Sequence, residues 1–184
     1  RKKKIYEPKP RIVMALSYPD RVVQWAYYQK LNPLFDRQFI THSYGCRVGK
    51  GTTKAREQLQ TWLRKASRSS KKWYVLKLDI AKYFYRVDHE VLMKILSRHI
   101  KDELILRDRY KLINCEDTAF GLPAGVQPEL CKQEDWIYNR GMPIGNLTSQ
   151  MFANIYLNEL DQFCKHDLHI RYYIRYMDDI IILW

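Results

Sequence analysis

Arg175-Tyr-Met-Asp-Asp-Ile-Ile-Ile-Leu183 is the stretch on which the reading of this chain turns. An alternating segment, Arg171 to Tyr176, leads into two adjacent carboxylates, Asp178 and Asp179, and an apolar, β-branched run to Trp184 follows. Alternation on one side and β-branched residues on the other predict a β-hairpin with the acids at its tip. Neighbouring ionised carboxylates repel each other, and a divalent cation is the usual means of keeping them together. Two magnesium ions about 3.5–4 Å apart are the common device for in-line phosphoryl transfer. An acidic turn facing solvent is the bland alternative, and the rest of the chain decides between them.

Upstream, Trp73 to Asp79 alternates as a strand that ends in a third carboxylate. Val91, Leu92, Ile95, Leu96 and Ile100 mark a helix with Asp88 as its cap, and Met151, Phe152, Ile155, Tyr156, Leu160 and Phe163 mark another within 145–163. Pro8 and Pro10 make residues 1–18 extended, with an apolar strand over Ile12 to Leu16. Asp20 is read as the N-cap of a helix carrying Val22, Val23, Ala26, Tyr27 and Leu31, which Pro33 ends. A glycine-rich loop spans Tyr44 to Thr52. It is not a P-loop, because its spacing is one short and Gly51 stands where Ser or Thr belongs. Ala55, Leu59, Trp62, Leu63 and Ala66 then share one helical face, and a basic loop, Arg68 to Lys72, follows. Residues 107–140 are the least regular part and read as a long excursion. This order predicts an α+β fold whose antiparallel sheet, backed by helices, brings Asp79 beside Asp178 across 99 positions.

The charge is as uneven as the pattern. Residues 1–72 carry 18 Lys/Arg against 4 Asp/Glu, whereas 73–184 carry 14 against 16. A basic first part joined to a neutral part holding the carboxylates suggests a grip on a polyanion beside a metal site. A solvated basic face would explain any one cluster but not the whole imbalance. The four cysteines, Cys46, Cys115, Cys131 and Cys164, are widely spaced without a C-x-x-C, which argues against zinc and disulfides and suits a reducing cytoplasm. No apolar run reaches the length of a membrane span.

Four segments in order resemble a reverse transcriptase: Tyr6-Glu-Pro-Lys-Pro-Arg-Ile-Val13 with Tyr18-Pro-Asp-Arg-Val-Val-Gln24, then Leu78-Asp-Ile-Ala-Lys-Tyr-Phe84, Gly141-Met-Pro-Ile-Gly-Asn-Leu-Thr-Ser-Gln150 and Tyr176-Met-Asp-Asp179. The third has Ile144 before Gly145 and ends Ser149-Gln150, where retroviral and group II intron enzymes usually place Gln before the glycine and close with Ser-Pro. That form is similar to the enzymes of diversity-generating retroelements, which copy RNA with errors at template adenines. Gly121-Leu-Pro-Ala-Gly125 imitates the same turn, but Pro128 and the charged residues after it prevent a helix, so 121–125 is read as a loop.

The resemblance implies a right-hand polymerase, with fingers over 1–72 and a palm with an RRM-like sheet over 73–184. It implies that Asp79 and Asp178 ligate two Mg2+ ions, with Mn2+ as a substitute, Asp179 as a weaker ligand and the Ile80 carbonyl as a backbone one. Lys9 and Arg11 are the candidates to clamp the incoming dNTP; contact with template phosphates is the alternative for both. Phe84 matches the position whose bulk excludes a ribose 2′-hydroxyl, and core packing is its alternative. Tyr83 would line the same pocket, Ile144 and Gly145 would meet the nucleotide, and Gln150 would brace the turn. The implied partners are an RNA template, a DNA or RNA primer and a small basic accessory protein, with no membrane. The thumb expected after the hairpin is absent, so the chain reads as the fingers and palm of a longer enzyme. A group II intron-like or phage-defence reverse transcriptase is the alternative, and a non-catalytic RNA-binding module is a more distant one.

Overall fold

The computed structural model of the chain describes residues 2–5, 11–14, 16–103, 113 and 119–184. Its contacts group the chain into two compact units, Arg1–Asn32 with Lys82–Tyr156, and Pro33–Ala81 with Leu157–Trp184.

In the first unit, β1 (Lys2–Ile5) and β2 (Arg11–Met14) form an antiparallel pair. Helix α1 (Tyr18–Asp36) follows and crosses into the second unit. Its start is set by Ser17 and not by Asp20. The Ser17 hydroxyl accepts the Asp20 N–H at 3.3 Å and donates to the Asp20 carboxylate at 2.6 Å. This Ser-x-x-Asp arrangement satisfies one orphan donor of the first turn, the Asp20 N–H, and Pro19 costs nothing there because its missing N–H would be unpaired anyway. Nor does Pro33 end the helix, which runs on to Asp36. Leu31 and Phe35, four residues apart on one face, are both buried, and such burial stabilises by about 1.5–3 kcal/mol per side chain. That offsets a cost of about 3 kcal/mol for proline inside a helix. The buried face holds Gln24, Leu31 and Phe35, while Val22 and Val23 are about half exposed.

The same unit holds a short helix α3 (Tyr83–Arg86), entered through Lys82 at φ +56°, and α4 (His89–His99). Asp88 caps α4 as its residue type suggests, accepting the Val91 N–H at 3.1 Å. Leu92, Ile95 and Leu96 face inward at helical spacing. Within the described part of the excursion, Gly121 and Ile137 exchange two backbone hydrogen bonds of 2.9 Å, and no helix begins directly after Gly125; a single 3-10 turn, Gln133–Asp135, comes later. Helix α5 (Leu147–Gln162) passes from the first unit to the second and ends in a π-type turn over Phe163–Asp167.

The second unit is built on a three-stranded antiparallel sheet in the order β3 (Val75–Asp79), β5 (Asp179–Leu183), β4 (Tyr172–Tyr176). Side chains alternate between its faces. Tyr173, Ile180 and Ile182 pack with Ile80, Leu160 and Cys164 on one face. Ile174, Ile181 and Leu183 pack on the other with Tyr44, Leu59 and Trp62, the last two from α2 (Thr52–Ser67). Leu63 does not join the α2 face and is 43% exposed. The α+β class and the helix-backed antiparallel sheet are thus as expected, with helical cover on both faces. No described helix is long and apolar enough to cross a membrane.

Candidate active site

The hairpin turns through two residues, Met177 and Asp178, with Tyr176 opposite Asp179. Met177 adopts φ +53°, as the first residue of a tight two-residue hairpin turn must. That conformation is unfavourable for a residue with a side chain, and strain of this kind persists only where surrounding structure imposes it. On the next strand, Asp79 stands directly opposite Asp179, and the Ile80 N–H donates to the Asp178 carbonyl at 3.3 Å. Directly opposed residues of an antiparallel pair share a face at close range. The structure therefore gathers Asp79, Ile80, Asp178 and Asp179 at one end of the sheet. Asp79 and Asp179 are exposed, and Lys77 lies 3.8 Å from the Asp179 carboxylate, an exposed pair of small energetic worth.

The donor chemistry suits magnesium. This ion takes oxygen ligands, keeps several waters and is commonly held by one or two carboxylates together with substrate phosphates. Among the described residues no group of three or more His, Cys, Asp or Glu is placed to hold a metal ion.

Beneath the turn lies a feature that the sequence reading passed over. The Arg175 guanidinium, fully buried, makes a bidentate pair with the equally buried Asp161 at 2.7 and 2.6 Å. It also donates to the Ser43 hydroxyl at 3.1 Å and to the Met177 carbonyl at 3.0 Å. Tyr173 donates its hydroxyl to Asp161 at 2.7 Å; burial, and then the nearby carboxylate, push its pKa well up, so it stays a donor. The alternation of Arg171 to Tyr176 already places Arg175 on the Tyr173 face, so the signal was present in the sequence.

The glycine-rich loop runs alongside β4. The Arg175 N–H donates to the His42 carbonyl at 3.0 Å, and the Tyr44 N–H to the Arg175 carbonyl at 2.9 Å. Arg47 fixes this loop by donating to the Asp36 carboxylate and to the Ile40 and Ser43 carbonyls. Gly45 packs so tightly that a Cβ there would fall 2.6 Å from the Met177 nitrogen. Burial, then Lys165 and Lys50, hold the His42 pKa below its usual value.

The remaining expected site residues belong to the first unit. Gly145 has φ +107°, and a Cβ on it would sit 3.1 Å from the Met14 carbonyl, so both conformation and space call for glycine. The Ile144 carbonyl accepts the Met14 N–H at 2.8 Å. Gly145 lines a cavity of about 500 Å³ together with Arg21, Gln24, Trp25 and Asn146. Among the described residues the buried Asn146 Oδ1 has no hydrogen-bond partner. Tyr83 is buried and donates its hydroxyl to the Ala153 carbonyl at 2.7 Å, while half-buried Phe84 meets its ring edge to face at 5.5 Å. Gln150 lies in the first turn of α5. Lys9 lies outside the described residues, and Arg11 is described by its backbone alone, in β2.

Comparison with known proteins bears on the family and the fold. The model of the family described as reverse transcriptase (RNA-dependent DNA polymerase) matches residues 1–184. Protein YkfC of Escherichia coli K12 is 30% identical over 83% of this chain and 36% of its own length. The group II intron-encoded protein LtrA of Lactococcus lactis subsp. cremoris is 28% identical over 80% of this chain and 22% of its own length. The chain thus spans about a fifth to a third of these two relatives. Among solved structures, telomerase from Candida albicans in complex with a fragment of telomeric RNA superposes with a TM-score of 0.61. It is 14% identical, covering 99% of this chain and 36% of that one, a likeness of fold. Apo telomerase from Candida tropicalis gives a TM-score of 0.58 at 13% identity, over 100% of this chain and 43% of that one.

Proposed function

Because the chain belongs to the reverse transcriptase (RNA-dependent DNA polymerase) family, we propose that its acidic hairpin is the centre at which dNTPs are joined to a primer paired with an RNA template. The observation that carries this reading is the meeting of Asp79 with Asp179 at a sheet end whose next backbone bond joins Ile80 to Asp178. Asp79 and Asp178 would hold two magnesium ions, with Asp179 and the Ile80 carbonyl in support. When bound, the ions activate the primer 3′-hydroxyl and offset charge on the departing pyrophosphate.

The other roles belong to the chain's own residues. The basic part, 1–72, serves as fingers and neutralises template phosphates; the part from 73 to 184 serves as palm. Lys9 and Arg11 clamp the triphosphate, Lys as a point charge and Arg as a fork. Phe84 excludes a ribose 2′-hydroxyl by bulk, with Tyr83 behind it as support. Gly145 keeps the wall of the 500 Å³ cavity thin, and Ile144 offers the nucleotide bulk without a hydrogen bond. Telomerase bound to an RNA fragment, sharing this fold, is in keeping with an RNA partner.

For the kind of reverse transcriptase, Ile144 and Ser149-Gln150 favour the error-prone type of diversity-generating retroelements, with a small basic accessory protein. The likeness to LtrA favours a group II intron type instead. A template repeat with a variable gene beside the coding sequence, or an intron around it, separates the two. Magnesium-dependent primer extension by the complete gene product tests the activity. Asp79→Asn and Asp178→Asn should each abolish it while the fold survives, since each removes charge from both ions. Appreciable extension by the Asp178→Asn protein would remove the assignment.

A further inference from the structure

We infer that Arg175 is a positioning residue, clamping the Met177 carbonyl from below so that the strained turn presents Asp178 and Asp179 in one fixed geometry. The role of those acids rests on the reading above; the clamp itself rests on the observed network. Three observations converge on it. The Met177 backbone sits at φ +53°, a conformation that relaxes unless something holds it. The contact that holds it is a charge-assisted hydrogen bond of 3.0 Å from a guanidinium with no solvent exposure. That guanidinium cannot rotate away, because Asp161 grips it through two nitrogens and Ser43 takes a third bond. Asp161 is in turn fixed by Tyr173. The backbone of Arg175 is tied on its outer edge to the carbonyl of His42 and the N–H of Tyr44.

A buried ion pair adds little net stability compared with apolar residues of equal volume. Stability alone therefore does not account for a fully buried Arg–Asp pair one residue from the turn, whereas a planar fork with five donors does what no apolar side chain can do. It binds its anchor and the turn together.

The test uses the complete gene product and a variant that removes both charges together, Arg175→Met with Asp161→Leu, so that none is stranded. Ser43→Ala, which removes one of the guanidinium's bonds, is the milder companion should the double variant fail to fold. Three readouts follow: urea unfolding, hydrogen exchange of the amides at 177–180, and titration with Mn2+ without nucleotide. A clamp predicts near-wild-type unfolding of the double variant, at least about tenfold faster exchange at 177–180, and Mn2+ affinity lower by about tenfold. Ser43→Ala should shift exchange and affinity the same way by a smaller factor. Unchanged exchange at 177–180 in a folded variant overturns the clamp. Exchange that rises equally across the whole sheet also overturns it, because the pair is then merely structural. If the wild-type protein neither binds Mn2+ nor extends a primer, the polymerase reading fails while the exchange arm still decides the clamp.

Discussion

The closest steric constraint on the turn comes from Gly45. Its φ is not positive, so glycine is required there for space and not for backbone freedom. In Gly45→Ala the new Cβ would meet the Met177 nitrogen and Cγ at 2.6 Å and its Sδ at 2.8 Å. The flexible side-chain atoms can swing aside, but the backbone nitrogen cannot. Ordinary contact begins at 3.4 Å, so loop or turn must give by about 0.8 Å, the difference between the two distances. Overpacking of this size costs about 1–3 kcal/mol. A misplacement near 1 Å at a reacting centre costs on the order of 10²-fold in rate. The Arg47 bonds resist movement of the loop, so the turn takes most of the shift. The expected result is a kcat for primer extension lower by about 30- to 100-fold, with template–primer affinity unchanged and the unfolding midpoint modestly lower. Adding Met177→Ala should not restore the rate, because the clash is with the backbone. A kcat within about threefold of wild type in a folded Gly45→Ala protein would refute the reasoning.

Asp88→Ala removes the α4 cap and should lower unfolding free energy by about 1 kcal/mol, read from urea melts. Burial holds the His89 pKa below its usual value, against the hydrogen bond to the Gly141 carbonyl at 2.6 Å and the nearby Asp88 carboxylate, and among the described residues its buried Nδ1 has no partner. The unfolded imidazole therefore binds protons first, so stability is full above pH 6.5 and falls as pH drops below it. His42 shifts in the same direction, so His89→Gln should flatten the decline only in part; an unaltered slope in melts across this range would count against His89. Ile144→Gln restores a hydrogen-bonding group worth about 0.5–1.5 kcal/mol and should reduce misincorporation, above all opposite adenine. Sequencing cDNA made by both proteins decides this, and an unchanged error spectrum would mean that Ile144 is packing alone.

What could be read from the sequence is what depends on short-range pattern. The hairpin was legible because alternation and a β-branched run flank a two-residue turn, and the α4 cap because an aspartate preceded a clean helical period. The α1 start was misread at Asp20, although Ser17-Tyr-Pro-Asp20 carries the spacing of a capping box. Pro33 misled because local propensity ignores the burial of Leu31 and Phe35. Val22, Val23 and Leu63 recur at helical spacing with their apolar neighbours yet are about half exposed, because which face is covered depends on a partner that no local pattern names. The acids of the site were visible as residue types. Gly45, Ser43 and Asp161 were not visible as their support, because each reaches the turn only through contacts distant in sequence.

Strand β3 carries a last consequence. Tyr74 and Trp184 exchange both of their backbone hydrogen bonds, and the Ile80 N–H is bonded across the same pair. In an antiparallel ladder such pairs alternate, so the amides of Leu76 and Leu78 face β5 while those of Val75, Lys77 and Asp79 face away. Among the described residues no strand lies beyond β3. Labelled with deuterium, the strand should show two populations by parity, the even-numbered amides slow and the odd-numbered ones fast. Asp79 falls in the fast class. One of the proposed metal-binding carboxylates thus sits on a peptide unit whose own N–H is outside the ladder, and its position is inherited from the bonded residues on either side of it.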